Sequence, residues 1–551
     1  MSKPIRVLGM IVLCLPGLLP GLPGSPAPAF AATYCVDGDH LYADDANPGT
    51  LELPWRTIGH AAGLLFAGDS VLIRDAIYQE SVVTGHGGNA GAAIVFAAFP
   101  GEHPVLDGTG LESGTGFRME DSHVELQGLE IRHFAQTGIW MTGVHDVVLR
   151  DCEVHHVIFG IGACCGTHDF LLERVEIHHF TLYGFDASPS GGADCYNGTF
   201  NDCVAHTCND PEQNVDGFAL GHGGQHDFVF NRCEAYDLYD GFDISARNTT
   251  LNRCAAHDCV YRGIAGWQDG LRAVNCLFYR NQVCHACLVR GGQLPHTYVF
   301  QNCTFMDADV YTIYVDSTGA GIQLDLRNCI LAGGDNVGLW IEQLEGFTYE
   351  GDYNVFHNDN APRAIWGGGQ REFSLEEIDA GEWSDFCGCD ESSLVAYEDT
   401  DLFVSPSGFD LRLFENSLAV DQGSGTGAPS EDFAGCLRPA GQGVDIGAYE
   451  YLPYGDAGDG RSAAAIPRLS ICPDPVAGSA TIRYCLEGPS HVTLAVFDVT
   501  GRRAVELLST WQPAGAQACG WRSAGLPAGI FFVRLSRDGR VLAQERVVIV
   551  R

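Results

Sequence analysis

The chain has 551 residues, 46% hydrophobic and 18% charged, which excludes a disordered polymer and is enough for two or three folded domains. Acidic residues outnumber basic ones 70 to 31. The formal charge of -39 argues against nucleic-acid or anionic-membrane partners and for divalent cations at the surface. Lys3 is the only lysine, so a mechanism that needs a lysine in the mature protein is excluded.

Residues 1–31 combine Lys3 and Arg6, an apolar run broken by prolines and glycines, and a small-x-small site at Ala29, Phe30 and Ala31. They read as a secretory signal peptide. No later segment reaches the roughly 18 uninterrupted apolar residues of a membrane helix. Export makes disulfides available to the 21 cysteines beyond Cys14.

From residue 123 a unit of 21 to 30 residues repeats, in HVELQGLEIRH, DVVLRDCEVHH, DFLLERVEIHH, GTFNDCVAH, FVFNRCEAY, TTLNRCAAH, RAVNCLFY, YVFQNCTF and LDLRNCIL. Leu129, Cys152, Val175, Cys203, Cys233, Cys254, Cys276, Cys303 and Cys329 fall in one column. A second column begins at Gly138, Gly160, Gly184, Gly217, Gly241 and Gly263, then weakens at Ala286, Thr312 and Gly338. Two short strands per unit with Asn, Asp and Gly turns predict an all-β solenoid of ten to twelve coils, its cysteines stacked inward as small apolar residues. The opening ADDANPGTLELPWRTIGHAAGLLFAGDSVLIRDAIYQESV resembles the start of many secreted right-handed parallel β-helix proteins, in which a short helix covers the solenoid end. The right hand is what that resemblance implies. We take residues 32–451 as this domain with its N-terminal cap.

Two neighbouring turns are acidic. NVDGFA carries Asp216, and LYDGFD, preceded by Asp237, carries Tyr239, Asp240 and Asp243. Coils stack at roughly 4.8 Å, so Asp216, Asp240 and Asp243 are expected to converge, with Phe218 and Phe242 inward, and hard carboxylate oxygens suit calcium. Asp186 stands in the place of Asp243 two coils earlier. These motifs resemble those of the polysaccharide lyase family nine pectate lyases, whose aspartates bind calcium. The resemblance implies Asp216, Asp240 and Asp243 as ligands, with Asp237 compensating for Tyr239, which replaces a family aspartate. It further implies β-elimination on a uronate, with calcium acidifying the C5 proton that a lysine removes. Ala265 fills that lysine position, which leaves Arg262 and Arg290 as candidate bases. Trp267 and Tyr239 are candidate substrate contacts.

His155, His178, His206 and His257 form a histidine column and His133, His156 and His179 its neighbour, a pattern that suits zinc or copper, or a solvated turn that keeps one residue type. Trp140, Trp340 and Tyr314 are expected to face outward, where they stack on sugars or pack under loops. Cys164 and Cys165, and Cys387 and Cys389, lack zinc-ribbon spacing.

Residues 401–451 resemble the closing segment of bacterial β-helix proteins that carry a sorting module. Residues 452–467 are a Pro/Gly-rich linker. From 468 to 551, ATIRYCL, HVTLAVFDVTGRRAVEL and GIFFVRLSRDGRVLAQERVVIV alternate as β-sandwich strands. They resemble the C-terminal sorting domains of bacterial surface and secreted proteins, related to an immunoglobulin-like flagellar-hook module, with Cys472, Cys485 and Cys519 available for one bridge. The expectation is a secreted or surface-displayed, monomeric protein that binds or cleaves an extracellular acidic polysaccharide and engages sorting machinery. Three activities stay open: calcium-assisted elimination, non-catalytic glycan binding, and hydrolysis by an aspartate pair.

Overall fold

In the computed structural model, the structure describes residues 31–188, 192–221, 223–289, 295–316, 321–333, 337–358, 365–367, 371–398, 401–451, 469–472, 475–486, 490–499, 501–512, 515–523, 525–537 and 540–550. The leader, Arg290 and the linker lie outside them. Among the described residues no helix is long and apolar enough to cross a membrane.

The protein is all-β, and its main body is a right-handed parallel β-helix. Thirteen parallel strands, from Thr33–Val36 to Phe347–Asp352, form one sheet, and the remaining solenoid strands stack coil on coil along the other faces. A single apolar core runs through the coils, with Phe200, Phe218, Phe230, Phe242 and the column cysteines fully buried. Phe218 stacks on Phe242 at 5.2 Å, inward as expected. Cys203, Cys233, Cys254, Cys276, Cys303 and Cys329 are buried thiols that touch backbone carbonyls, as Cys254 Sγ does at 3.4 Å from Phe230 O.

Two backbone devices explain the repeat. The residue before each column position adopts a left-handed conformation, with φ of 54° at Asp202, 57° at Arg253, 51° at Asn302 and 54° at Asn328. Asn and Asp tolerate that region best, hence the recurring N-C and D-C pairs. The second column is a spine of glycines. A Cβ at Gly138, Gly160, Gly184, Gly217 or Gly241 would approach the carbonyl oxygen of the glycine one coil on to 2.3–2.8 Å. The spine ends at Gly263, where the next coil presents His285, held by Asn281 at 3.0 Å.

Helix Ile58–Ala62 covers the N-terminal end; Thr57 caps it, and Glu80 accepts from the amides of Ile58 and Gly59 at 2.8 Å. Residues 401–451 add no further coil: their strands Phe403–Ser405 and Asp410–Leu413 form a separate two-stranded sheet. They fold back along one flank, their core of Leu402, Phe403, Leu411, Ile446 and Tyr449 packing on Ala255, Leu277, Met306 and Ile330. Asn275, Asn302 and Asn328 donate side-chain hydrogen bonds to this segment's backbone. The buried Arg438–Glu450 pair, 2.6 Å apart, ties it together. Residues from 469 onward form a three-stranded and a five-stranded sheet around a separate core that includes Ile482, Tyr484, Leu494 and Val533. Cys519 is a free thiol there, and the side chains of Cys472 and Cys485 lie outside the described residues.

Candidate functional site

Strands Asp216–Leu220, Asp240–Ile244, Arg262–Gly266 and Cys284–Val289 run parallel on consecutive coils. Their register aligns Tyr183, Asp216, Asp240, Arg262, Cys284 and Tyr311 in one column. A second column holds Asp186, Ala219, Asp243, Ala265, Cys287 and Tyr314. Side chains three apart on a straight strand face opposite ways. Asp240 and Asp243 are nonetheless near enough for their charges to act on each other and on Asp216.

At the centre Arg262 binds Asp240 in a two-pronged pair, Nε to Oδ1 at 3.0 Å and Nη2 to Oδ2 at 2.8 Å. The guanidinium lies 4.5 Å from the Tyr261 ring centroid and 5.4 Å from that of Trp267. Trp267 Nε1 donates to Asp243 Oδ1 at 2.5 Å. Asn214 Nδ2 reaches Asp216 Oδ2 at 3.5 Å, while Asp216 Oδ1 is buried without a hydrogen-bond partner.

Burial, followed by the charges of Asp240 and Asp243, drives the Asp216 carboxyl well above the ordinary carboxylate range. Burial raises Asp240 as well, and Arg262 opposes that rise. Asp186 is pushed up to about 6 by burial alone. Burial opposes the charge on Arg262, but the Asp240 pairing outweighs it and holds the guanidinium more firmly protonated than usual. Arg262 is thus paired with Asp240 and Trp267 with Asp243, and the unpartnered Asp216 oxygen is left as a hard donor of the kind that calcium takes.

The structure therefore brings Asp216, Asp240, Asp243, Arg262 and Trp267 together. Tyr239 forms the adjoining wall, stacked on Tyr261 at 4.9 Å, and its carbonyl accepts from the amide of Arg262 at 3.2 Å. Asp237 stands apart: it is exposed in a left-handed turn, φ 55°, at the position His179 and Asp258 hold on other coils. Tyr183, Asn214 and Tyr261 were not singled out in the sequence; the column that places Tyr183 one residue before Gly184 is the signal that points to it.

Aromatic side chains flank the acids along the second column. Trp140 precedes Asp186 by two coils, its ring crossing the space over Gly162, where a Cβ would meet it at 2.2 Å. Beyond Cys287 come Tyr314 and Trp340, with Tyr311 5.2 Å from Trp340. A shallow open trough of about 790 Å³ lies elsewhere, on the outer face of the thirteen-stranded sheet beside Val148, Leu171, Thr199 and Val229. Apart from exposed turn residues such as Asp146 and Asp169 it offers little chemistry.

A family described as the Pel9A-like right-handed β-helix region matches residues 40–270, and one described as a right-handed β-helix region matches residues 213–352. Among solved structures, pectate lyase Pel9A is similar at 14% identity and a TM-score of 0.43, over 76% of this chain and 96% of that one. The GH136 lacto-N-biosidase from Eubacterium ramulus is similar at 14% identity and a TM-score of 0.40, over 67% of each chain. Uncharacterized protein YwoF of Bacillus subtilis (strain 168) is 31% identical over 137 residues, 22% of this chain. The match spans 29% of the length of that relative.

Proposed function

We propose that the protein is exported and binds an acidic polysaccharide along this outer face, with calcium held by Asp216, Asp240 and Asp243. The observation that carries the reading is the buried, unpartnered Asp216 Oδ1 beside the Asp240–Arg262 pair, with aromatic side chains above and below. Calcium, when bound, supplies positive charge for a uronate carboxylate. Arg262 adds a fixed cation, and Trp267 with Tyr239 provides surface on which a sugar ring stacks. The N-terminal leader and the C-terminal sandwich belong to the same proposal, as signals for export and for sorting machinery, and the protein acts as a monomer.

Binding is favoured over elimination because the base is not supplied by the residues in place. Ala265 has no proton acceptor, and Arg262 is kept charged by Asp240. One observation favours a second reading, hydrolysis: burial raises both Asp216 and Asp186, the latter to about 6, which suits a carboxyl that keeps its proton to give as a general acid.

Incubation with pectate, alginate and neutral glycans, with and without chelator, tests these readings. The expected result is chelator-sensitive retention on the acidic glycans with no change in chain length. An ultraviolet-absorbing unsaturated product would establish elimination instead, and new reducing ends without that absorbance would establish hydrolysis.

A further inference from the structure

The proposed glycan face leaves the histidine ladder unused. His133, His156 and His179 have φ of 58°, 55° and 52°. This left-handed turn puts two consecutive side chains on one side of the chain, where an extended strand would separate them. On two adjacent coils the result is a matched pair of imidazoles. His155 Nδ1 lies 2.6 Å from His156 Nδ1, and His178 Nδ1 lies 2.6 Å from His179 Nδ1. The pairs stack on each other, His155 over His178 at 4.7 Å and 6°, His156 over His179 at 4.8 Å and 5°.

The opposite ring edges are fixed. His155 Nε2 meets Glu130 at 3.1 Å, and His178 Nε2 meets Glu153 at 2.9 Å, each carboxylate coming from the preceding coil. A carboxylate there holds the ring proton on Nε2, so Nδ1 of His155 and His178 presents a lone pair. This carboxylate–imidazole arrangement recurs behind metal-bound histidines. The ladder itself provides the contrast. At the next positions Nδ1 faces the Thr207 hydroxyl from His206 at 2.9 Å and the Asp258 carboxylate from His257 at 2.6 Å. His206 and His257 also hold a carboxylate on Nε2, Glu176 and Glu234 at 3.0 Å each, so what differs is the partner of Nδ1: a hydroxyl or a carboxylate there, and on each of the two coils before them a second imidazole, whose nitrogen offers another lone pair when its proton sits on Nε2.

Two nitrogens bound to one ion at about 2.0–2.1 Å and at right angles stand about 2.9 Å apart. The observed 2.6 Å is close to that bite. We propose that each imidazole pair, His155 with His156 and His178 with His179, chelates a divalent transition cation of the copper–zinc class, with Glu130 and Glu153 orienting the rings. Imidazole donors select such ions over calcium, and copper(II) binds most tightly in the series. This site is independent of the aspartate face, so either can fail without the other.

The test titrates copper(II) and zinc salts into the untagged full chain, followed by calorimetry and by copper paramagnetic resonance. Tight binding with imidazole nitrogen couplings is expected. His156→Ala with His179→Ala, both on outer positions of the ladder, should weaken it at least tenfold, and Glu130→Gln with Glu153→Gln should weaken it by a factor on the order of ten. His226→Ala, on another face beside Asp227, should leave it unchanged, as should excess calcium. Copper affinity that survives the His156/His179 double substitution, or that falls equally with His226→Ala, overturns the site.

Discussion

Arg262 is 11% exposed and Asp240 1%, so their pair is broken only at the cost of leaving one charge buried and alone. Arg262→Ala should destabilise the solenoid by about 3–5 kcal/mol in denaturant melts. Adding Asp240→Asn to that variant should recover most of the loss, because the stranded charge goes with it. Asp216→Asn makes the opposite case. It removes a carboxyl that burial and two like charges already disfavour, so the fold should keep its stability while calcium affinity, read by calorimetry, drops at least tenfold. At this scale the sequence shows which acids share a turn motif, because D-G-F repeats 24 residues apart. The glycine column at Gly241 and Gly263 places Arg262 one coil beneath Asp240, but it does not show that the two side chains turn to each other and pair. Nor does it separate Asp237 from Asp240: three residues apart in the chain, they are divided by a left-handed turn.

Among the elements, the glycine spine and the flank segment make different demands. Gly217→Ala sets a methyl 2.7 Å from Gly241 O and 2.8 Å from Leu238 Cδ1. The expected cost is about 1–3 kcal/mol, measured by chemical denaturation, even though alanine is otherwise a mild change. In the flank segment burial pushes Asp445 up to about 7 and Asp432 up to about 6. A folded-state value above the unfolded one gives stability that is complete below about pH 4 and is lost as pH rises to 7. Asp445→Asn should therefore flatten the fall in melting temperature between pH 4 and 7, and an unchanged slope would count against the assignment. The coils are legible in sequence because their period is written in small inward residues and turn residues. The flank packing of residues 401–451 is not, since the asparagines that anchor it, Asn275, Asn302 and Asn328, look like ordinary turn formers.

For the molecule as a whole, each coil touches mainly its neighbours, so stability is a sum of local interfaces along one axis. The C-terminal sandwich has its own core, and calorimetry should resolve two transitions, one of which disappears when the chain is ended after Tyr451. The charge of -39 lies before the C-terminal part, since residues 468–551 hold ten arginines against six acids, and salt that screens it within about 8–10 Å should raise the midpoint of the solenoid transition.

The glycine spine also limits how this molecule can change size. Half a coil gained or lost would set a side chain against the carbonyl above it, so growth comes only in complete rungs. A rung duplicated outside the aspartates would lengthen the rod and spare the ion. The same duplication between Asp216 and Asp240 would draw them two steps apart, about 9.6 Å, and divide one pocket into two half-pockets.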